Sequence, residues 1–134
     1  MVTLGLVVAQ FNKEEPITHK MEERGRAVAT ERGVDLVSIE VPGSYDTPLA
    51  ADRLARRDDI DAVAVLGAII TGDTDHDRVI ADAASQGLTD VSLDRDTPVT
   101  FGIIGPGMSQ AEANERIAYG ATAVESAIDL AESL

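Results

Sequence analysis

Four times along the chain, a short run of apolar residues gives way to apolar positions spaced as on one face of a helix. The first run, LGLVVAQF at residues 4–11, reads as a buried strand. ITHKMEERGRAVATERG, residues 17–33, predicts an amphipathic helix with Pro16 near its start and Gly33 at its end. VDLVSIEV, residues 34–41, alternates and predicts a second strand. A second helix is expected over YDTPLAADRLARRD, residues 45–58, with Pro48 in its first turn. DAVAVLGAII, residues 61–70, is the most apolar segment; a strand covered on both faces needs no polar alternation, so it should lie centrally. DHDRVIADAASQGLTDVSLD, residues 75–94, places Val79, Ile80, Ala83, Ala84, Gly87, Leu88 and Val91 on one helix face. TPVTFGII, residues 97–104, supplies the fourth strand, and SQAEANERIAYGATAVESAIDLAES, residues 109–133, one long last helix.

Four βα units in succession imply an α/β fold: a four-stranded parallel sheet with right-handed crossovers and helices on both faces. With 134 residues, one domain with one core is expected. In such sheets ligands bind beyond the carboxyl ends of the strands. The informative stretches are therefore the loops QFNKEEP, PGSYD, TGDTDH and GPGMS.

Composition narrows the chemistry. There is no cysteine, which excludes thiol catalysis, disulfides and zinc–thiolate sites. No apolar run reaches the roughly 18 residues needed to span a bilayer, and the N-terminus does not read as a signal peptide, so a cytoplasmic protein with no membrane partner is expected. The net charge of −13 argues against nucleic acid as a partner, because a phosphate backbone would be repelled. The charge is uneven: residues 1–67 hold 8 basic and 12 acidic residues, residues 68–134 hold 3 and 12. So acidic a small chain suggests salt adaptation, in which high salt screens mutual repulsion; the plainer alternative is a soluble acidic protein.

Only four aromatics occur, Phe11, Tyr45, Phe101 and Tyr119. Their bias toward strand ends and loops suggests stacking against a flat ligand; the alternative makes Phe101 a core residue and Phe11 a rim contact. His76 stands at the expected start of the third helix, with Thr74 or Asp75 as its cap. Exposed N–H groups at such a helix start make GDT an anion site and disfavour imidazolium, leaving His76 able to accept a proton. A metal ion is disfavoured because Asp75, His76 and Asp77 are consecutive and would point apart on a helix; a plain surface histidine stays open. Arg116 is the only basic residue after Arg95. It could pair with Glu112 at i,i+4, hold a phosphate, or do both. There is no Walker A loop, no G-x-G-x-x-G after the first strand, no hydroxyl-rich flavodoxin phosphate loop and no receiver-domain acidic cluster.

Taken together, the four loops resemble those of the lumazine synthase family, and its archaeal branch in particular, over nearly the whole chain. VVAQFN resembles the first strand with its aromatic–Asn end, and VPGSYDTPLA is similar to the family's second loop. LGAIITGDTDHDRV resembles the Gly-x-x-Ile-x-Gly-acid-Thr-x-His signature, and PVTFGIIGPGMSQAEANERI the fourth strand, loop and Glu-Arg pair. The resemblance implies a three-layer αβα sandwich with flavodoxin-like winding. It implies condensation of 5-amino-6-ribitylaminouracil with 3,4-dihydroxy-2-butanone 4-phosphate, without metal or cofactor. It implies that Phe11 stacks on the pyrimidine with Asn12 beside it, that Ser44 and Tyr45 offer backbone contacts, and that Asp46 takes ribityl hydroxyls. Ile69 and Ile70 would present backbone groups to the pyrimidine edge, Gly72, Asp73 and Thr74 would hold phosphate, and His76 would move protons. Phe101 and Arg116 would come from a neighbouring subunit of a homopentamer, with a larger icosahedral assembly of pentamers left open. Asp46 and Asp73 stand where the family often has Glu, and its usual Lys after the Glu-Arg pair is missing. Two alternatives remain at this point: an archaeal-type riboflavin synthase, and a non-catalytic flavin or lumazine carrier.

Overall fold

The computed structural model describes residues 1–10, 17–70 and 75–134. Strands β1 (Thr3–Ala9), β2 (Asp35–Val41), β3 (Ala62–Ala68) and β4 (Val99–Ile104) pair in parallel in the order β2-β1-β3-β4. β3 is buried at every position, as its unbroken apolar sequence requires of a strand covered on both faces. Even-numbered residues of β3 face one apolar cluster, with Met21, Val124 and Ile128; Val63 and Val65 face the other, with Leu54, Ala84 and Leu88. Helices α1 (Ile17–Glu31), α4 (Gln110–Glu115) and α5 (Tyr119–Ser133) cover the first face, α2 (Thr47–Ala55) and α3 (His76–Arg95) the second. The result is the expected three-layer α/β sandwich with its four-stranded parallel sheet. Among the described residues no helix is long and apolar enough to cross a membrane.

The chain steps from β1 to β2 on one side and then crosses back to β3 on the other. The winding therefore reverses between β1 and β3, and a crevice opens over their carboxyl ends.

Several elements depart from the pattern read in the sequence. Residues 45 and 46 belong to a 3-10 turn, Ser44–Asp46, and α2 stops at Ala55 instead of continuing to residue 58. The long last helix is two helices. The N–H groups of Arg116, Tyr119 and Gly120 bond the carbonyls of Ala113, Arg116 and Ile117, three residues back each time. That tightening ends α4 and restarts the chain as α5. On α3 only Ala84, Leu88 and Val91 are buried; Val79 is 59% exposed and Ala83 is also exposed. Ile80, Ala84 and Val91 form a narrow stripe against the sheet and α2, and each preceding residue is turned about 100° away from it.

Small residues set the helix spacing on both faces. Gly87 packs on Pro48, and Gly120 lies against the backbone of Met21 in α1, where a Cβ would meet the Met21 carbonyl oxygen. These close contacts are within the subunit. Gly120→Ala must separate α1 from α5, so a loss of about 1–3 kcal/mol is expected, the usual range for overpacking. Chemical denaturation of the variant checks it; unchanged stability would mean that the two helices are not held at this distance.

Candidate functional site

Three described segments gather over the β1/β3 crevice: the end of β1 at Gln10, the 3-10 turn after β2, and Ile69–Ile70 after β3. α3 begins beside them, and the 3-10 turn packs against it. The turn is internally braced. The Asp46 carboxylate accepts the Gly43 N–H at 3.1 Å, the Asp46 N–H donates to the Gly43 carbonyl at 3.1 Å, and the Thr47 hydroxyl donates to the Ser44 carbonyl at 2.8 Å. Tyr45 is exposed beside a buried Ser44. These bonds fix the direction of the backbone at residues 44 and 45 and hold Asp46 at the rim.

The Ile69 N–H donates to the Ile104 carbonyl at 2.8 Å, extending the β3–β4 pairing past the strand end. Gly105 then turns back over Ile69 with φ +91°; a Cβ there would strike the Ile69 carbonyl oxygen. Gly105 thus packs directly on the Ile69 backbone, a close approach not read from the GPG signal in the sequence. Ile69 is buried and Ile70 half-buried.

His76 is the first residue of α3 and is exposed. Asp75 is the N-cap, without a side-chain capping bond; its carbonyl accepts the Arg78 N–H at 3.0 Å. Phe11, Asn12, Gly72, Asp73 and Thr74 lie outside the described residues, as does Pro16.

Phe101 and Arg116 do not join this group within the chain. Phe101 pairs level with Val65 in mid-strand, on the α3 face, and is 47% exposed, so it is not a core residue. It lines a groove of about 380 Å³ with Ser85, Leu88, Ser92 and Leu93 of α3. At 1.5 Å per residue those positions lie roughly 13–25 Å along the helix from His76. Arg116 ends α4, whose Ala113 is anchored in the cluster on the opposite side of the sheet. Its guanidinium is 3.7 Å from Glu112. Hydrogen bonds from the Ser109 backbone and hydroxyl hold the Glu112 carboxyl below its usual range, with Arg116 adding to the effect. Tyr119 stands one turn beyond Arg116, and together with Phe101 it lines a second groove, of about 420 Å³, along the edge strand β4.

Among the described residues, His19, Glu22 and Glu40 bring one metal-donor atom each within 4.8 Å of one another. Arg26 already bonds Glu22 at 2.8 Å and Gln10 bonds Glu40 at 2.7 Å. The three belong to α1 and β2, whereas His76 starts α3 on the other face.

The model of the 6,7-dimethyl-8-ribityllumazine synthase family matches residues 1–134. The chain belongs to the lumazine synthase family. It is 66% identical over 135 residues to the 6,7-dimethyl-8-ribityllumazine synthase of Halorubrum lacusprofundi, with 100% of this chain and 99% of that one covered. It is 62% identical to that of Halobacterium salinarum, with both chains covered in full. With the enzyme of Methanosarcina barkeri it shares 46% identity, over 99% of this chain and 98% of the relative. The first two relatives come from halophilic archaea, in keeping with the acidic composition. Neither the riboflavin synthase nor the carrier alternative is favoured beside these lumazine synthases.

Proposed function

We propose that the chain condenses 5-amino-6-ribitylaminouracil with 3,4-dihydroxy-2-butanone 4-phosphate to 6,7-dimethyl-8-ribityllumazine, releasing phosphate and water. The observation that carries this reading is the gathering of Ser44–Asp46, Ile69–Ile70 and His76 over the winding reversal of a chain matched end to end by that family. The ring amine of the pyrimidine is the nucleophile, so no activated protein nucleophile is required. Holding two small substrates in reacting orientation supplies much of the rate. In this reading Phe11 stacks on the pyrimidine and Asn12 lies beside it. Backbone groups of Ser44, Tyr45, Ile69 and Ile70 read the ligand, and Asp46 takes ribityl hydroxyls. Gly72, Asp73 and Thr74 hold phosphate at the start of α3, where N–H groups and the helix dipole favour an anion. His76 moves protons during imine formation and phosphate loss. Phe101 and Arg116, far from their own His76 or across the sheet from it, serve the site of a neighbouring subunit in a cytoplasmic homopentamer. Mixing both substrates with the protein and following lumazine fluorescence together with phosphate release tests the proposal; absence of product in an assembled preparation would refute it.

Assembly is expected to require salt. The net charge of −13 repels itself within and between subunits, and it also repels an incoming phosphate. Transfer from molar to millimolar salt should first dissociate the oligomer and then abolish activity. A sedimentation profile unchanged by that transfer would rule out salt adaptation.

A further inference from the structure

Ser38 and Glu40 of β2 pair level with Leu6 and Val8 of β1, which belong to the apolar cluster under α1. Paired residues of a sheet point to the same face, so both side chains rise from the edge strand toward α1. Arg26 of α1 reaches across: its guanidinium donates to the Ser38 hydroxyl at 2.9 Å and to Glu22 Oε2 at 2.8 Å. His19 shares the helix face of Glu22 at i,i+3, with its Nδ1 4.0 Å from Glu22 Oε1. Glu40 completes a group in which one donor atom from each of His19, Glu22 and Glu40 lies within 4.8 Å of the others. Gln10 donates to Glu40 Oε1 at 2.7 Å. Each carboxylate is thus oriented through one oxygen by a residue outside the group, as outer partners orient the ligands of metal sites, and has a second oxygen to offer. Arg26 balances one of the two carboxylate charges; Gln10 balances none.

We propose that His19, Glu22 and Glu40 bind a divalent transition-metal ion, Zn²⁺ by preference, which ties helix α1 to the edge strand β2. One imidazole nitrogen with two carboxylate oxygens suits such a borderline ion, whereas Mg²⁺ and Ca²⁺ favour oxygen alone. Zinc holds nitrogen and oxygen ligands at about 2.0–2.2 Å, so two ligands of a tetrahedral ion stand roughly 3.4 Å apart. The donors reach that spacing by moving less than about 1 Å each. His19 and Glu40 are exposed, and small side-chain rotations supply the movement. The ion also offsets the repulsion between two neighbouring carboxylates that share a single Arg26. Water fills the fourth position, as at zinc sites with three protein ligands. The group lies on the α1 face of the sheet, whereas His76 begins α3 on the other. The ion therefore steadies the fold and takes no part in the proposed condensation.

The test is calorimetric titration of tag-free protein with zinc chloride in molar potassium chloride, which screens the diffuse attraction of cations to so acidic a chain. The wild type should bind one Zn²⁺ per subunit, undisturbed by excess Mg²⁺, and should melt at a higher temperature with zinc than without. His19→Ala and Glu40→Gln should each weaken binding about 10-fold or more, since even an outer partner of a metal ligand is worth about 10- to 100-fold. Both residues are exposed, so the variants should keep the fold. His76→Ala, which removes the chain's other histidine, should bind zinc as the wild type does. Absence of saturable binding by the wild type would overturn the proposal. So would undiminished affinity in His19→Ala or Glu40→Gln, displacement of zinc by equimolar Mg²⁺, or a loss confined to His76→Ala.

Discussion

Replacing His76 with alanine is expected to slow lumazine formation by up to about 100-fold, the lower end of general acid–base effects. The effect is bounded because the substrates bring their own nucleophile and electrophile, and a site that still positions them keeps the advantage of proximity. His76 is exposed at the first position of α3 and contributes nothing to the apolar clusters, so the substitution should leave the fold intact. In the proposed reading the pyrimidine is bound without His76, so affinity for it should survive. Single-turnover measurements separate the proton-transfer step from product release. Full single-turnover rate in the variant would remove His76 from the chemistry and return it to the surface.

Two impaired variants should restore each other. Arg116→Ala and His76→Ala are each expected to have low activity. If Arg116 and Phe101 serve the neighbour, a site is intact wherever an Arg116 variant supplies His76 and an adjacent His76 variant supplies Arg116. Unfolding both, mixing them equally and reassembling in molar salt should give roughly a quarter of sites intact, given one head-to-tail contact per site. Activity of the mixture should then exceed that of either parent. The placement of the residues motivates the experiment: α3 and α4 cover opposite faces of the sheet, and Phe101 looks at the middle of α3 rather than its start. A co-assembled mixture no more active than its parents would sink the shared-site reading.

The layered fold was legible because its signals are local. β3 is apolar throughout and β2 alternates, and each is what burial on two faces or one demands. Gly33, with φ +69°, ends the first helical stretch where its sequence position suggested. The break at Arg116 was not legible, since no Gly or Pro marks it; it arises from how α4 and α5 dock separately on one sheet face. α3 misled for a related reason. Its apolar face is wider than one chain can cover, and periodicity does not say whether Val79 will meet its own sheet or another surface. The loop motifs located Ser44–Asp46 and His76 correctly at the carboxyl end. Phe101 is different: the chain places it mid-strand and half-exposed, away from its own crevice. Gly105 went unread because the Ile69 carbonyl it covers comes from a segment 36 residues earlier.

The thin attachment of α3 has a consequence for concentration. Three of its twenty residues are buried, against five of fifteen in α5. An element with so few apolar contacts is among the first to open when a domain fluctuates. Cover for Val79 and Ala83 from a neighbouring subunit would close that route, stabilising the helix by mass action. If the site is shared as proposed, dilution would act twice on it: it would remove the neighbour's Arg116 and loosen the helix that carries His76, so specific activity would fall more steeply than the fraction of assembled subunits.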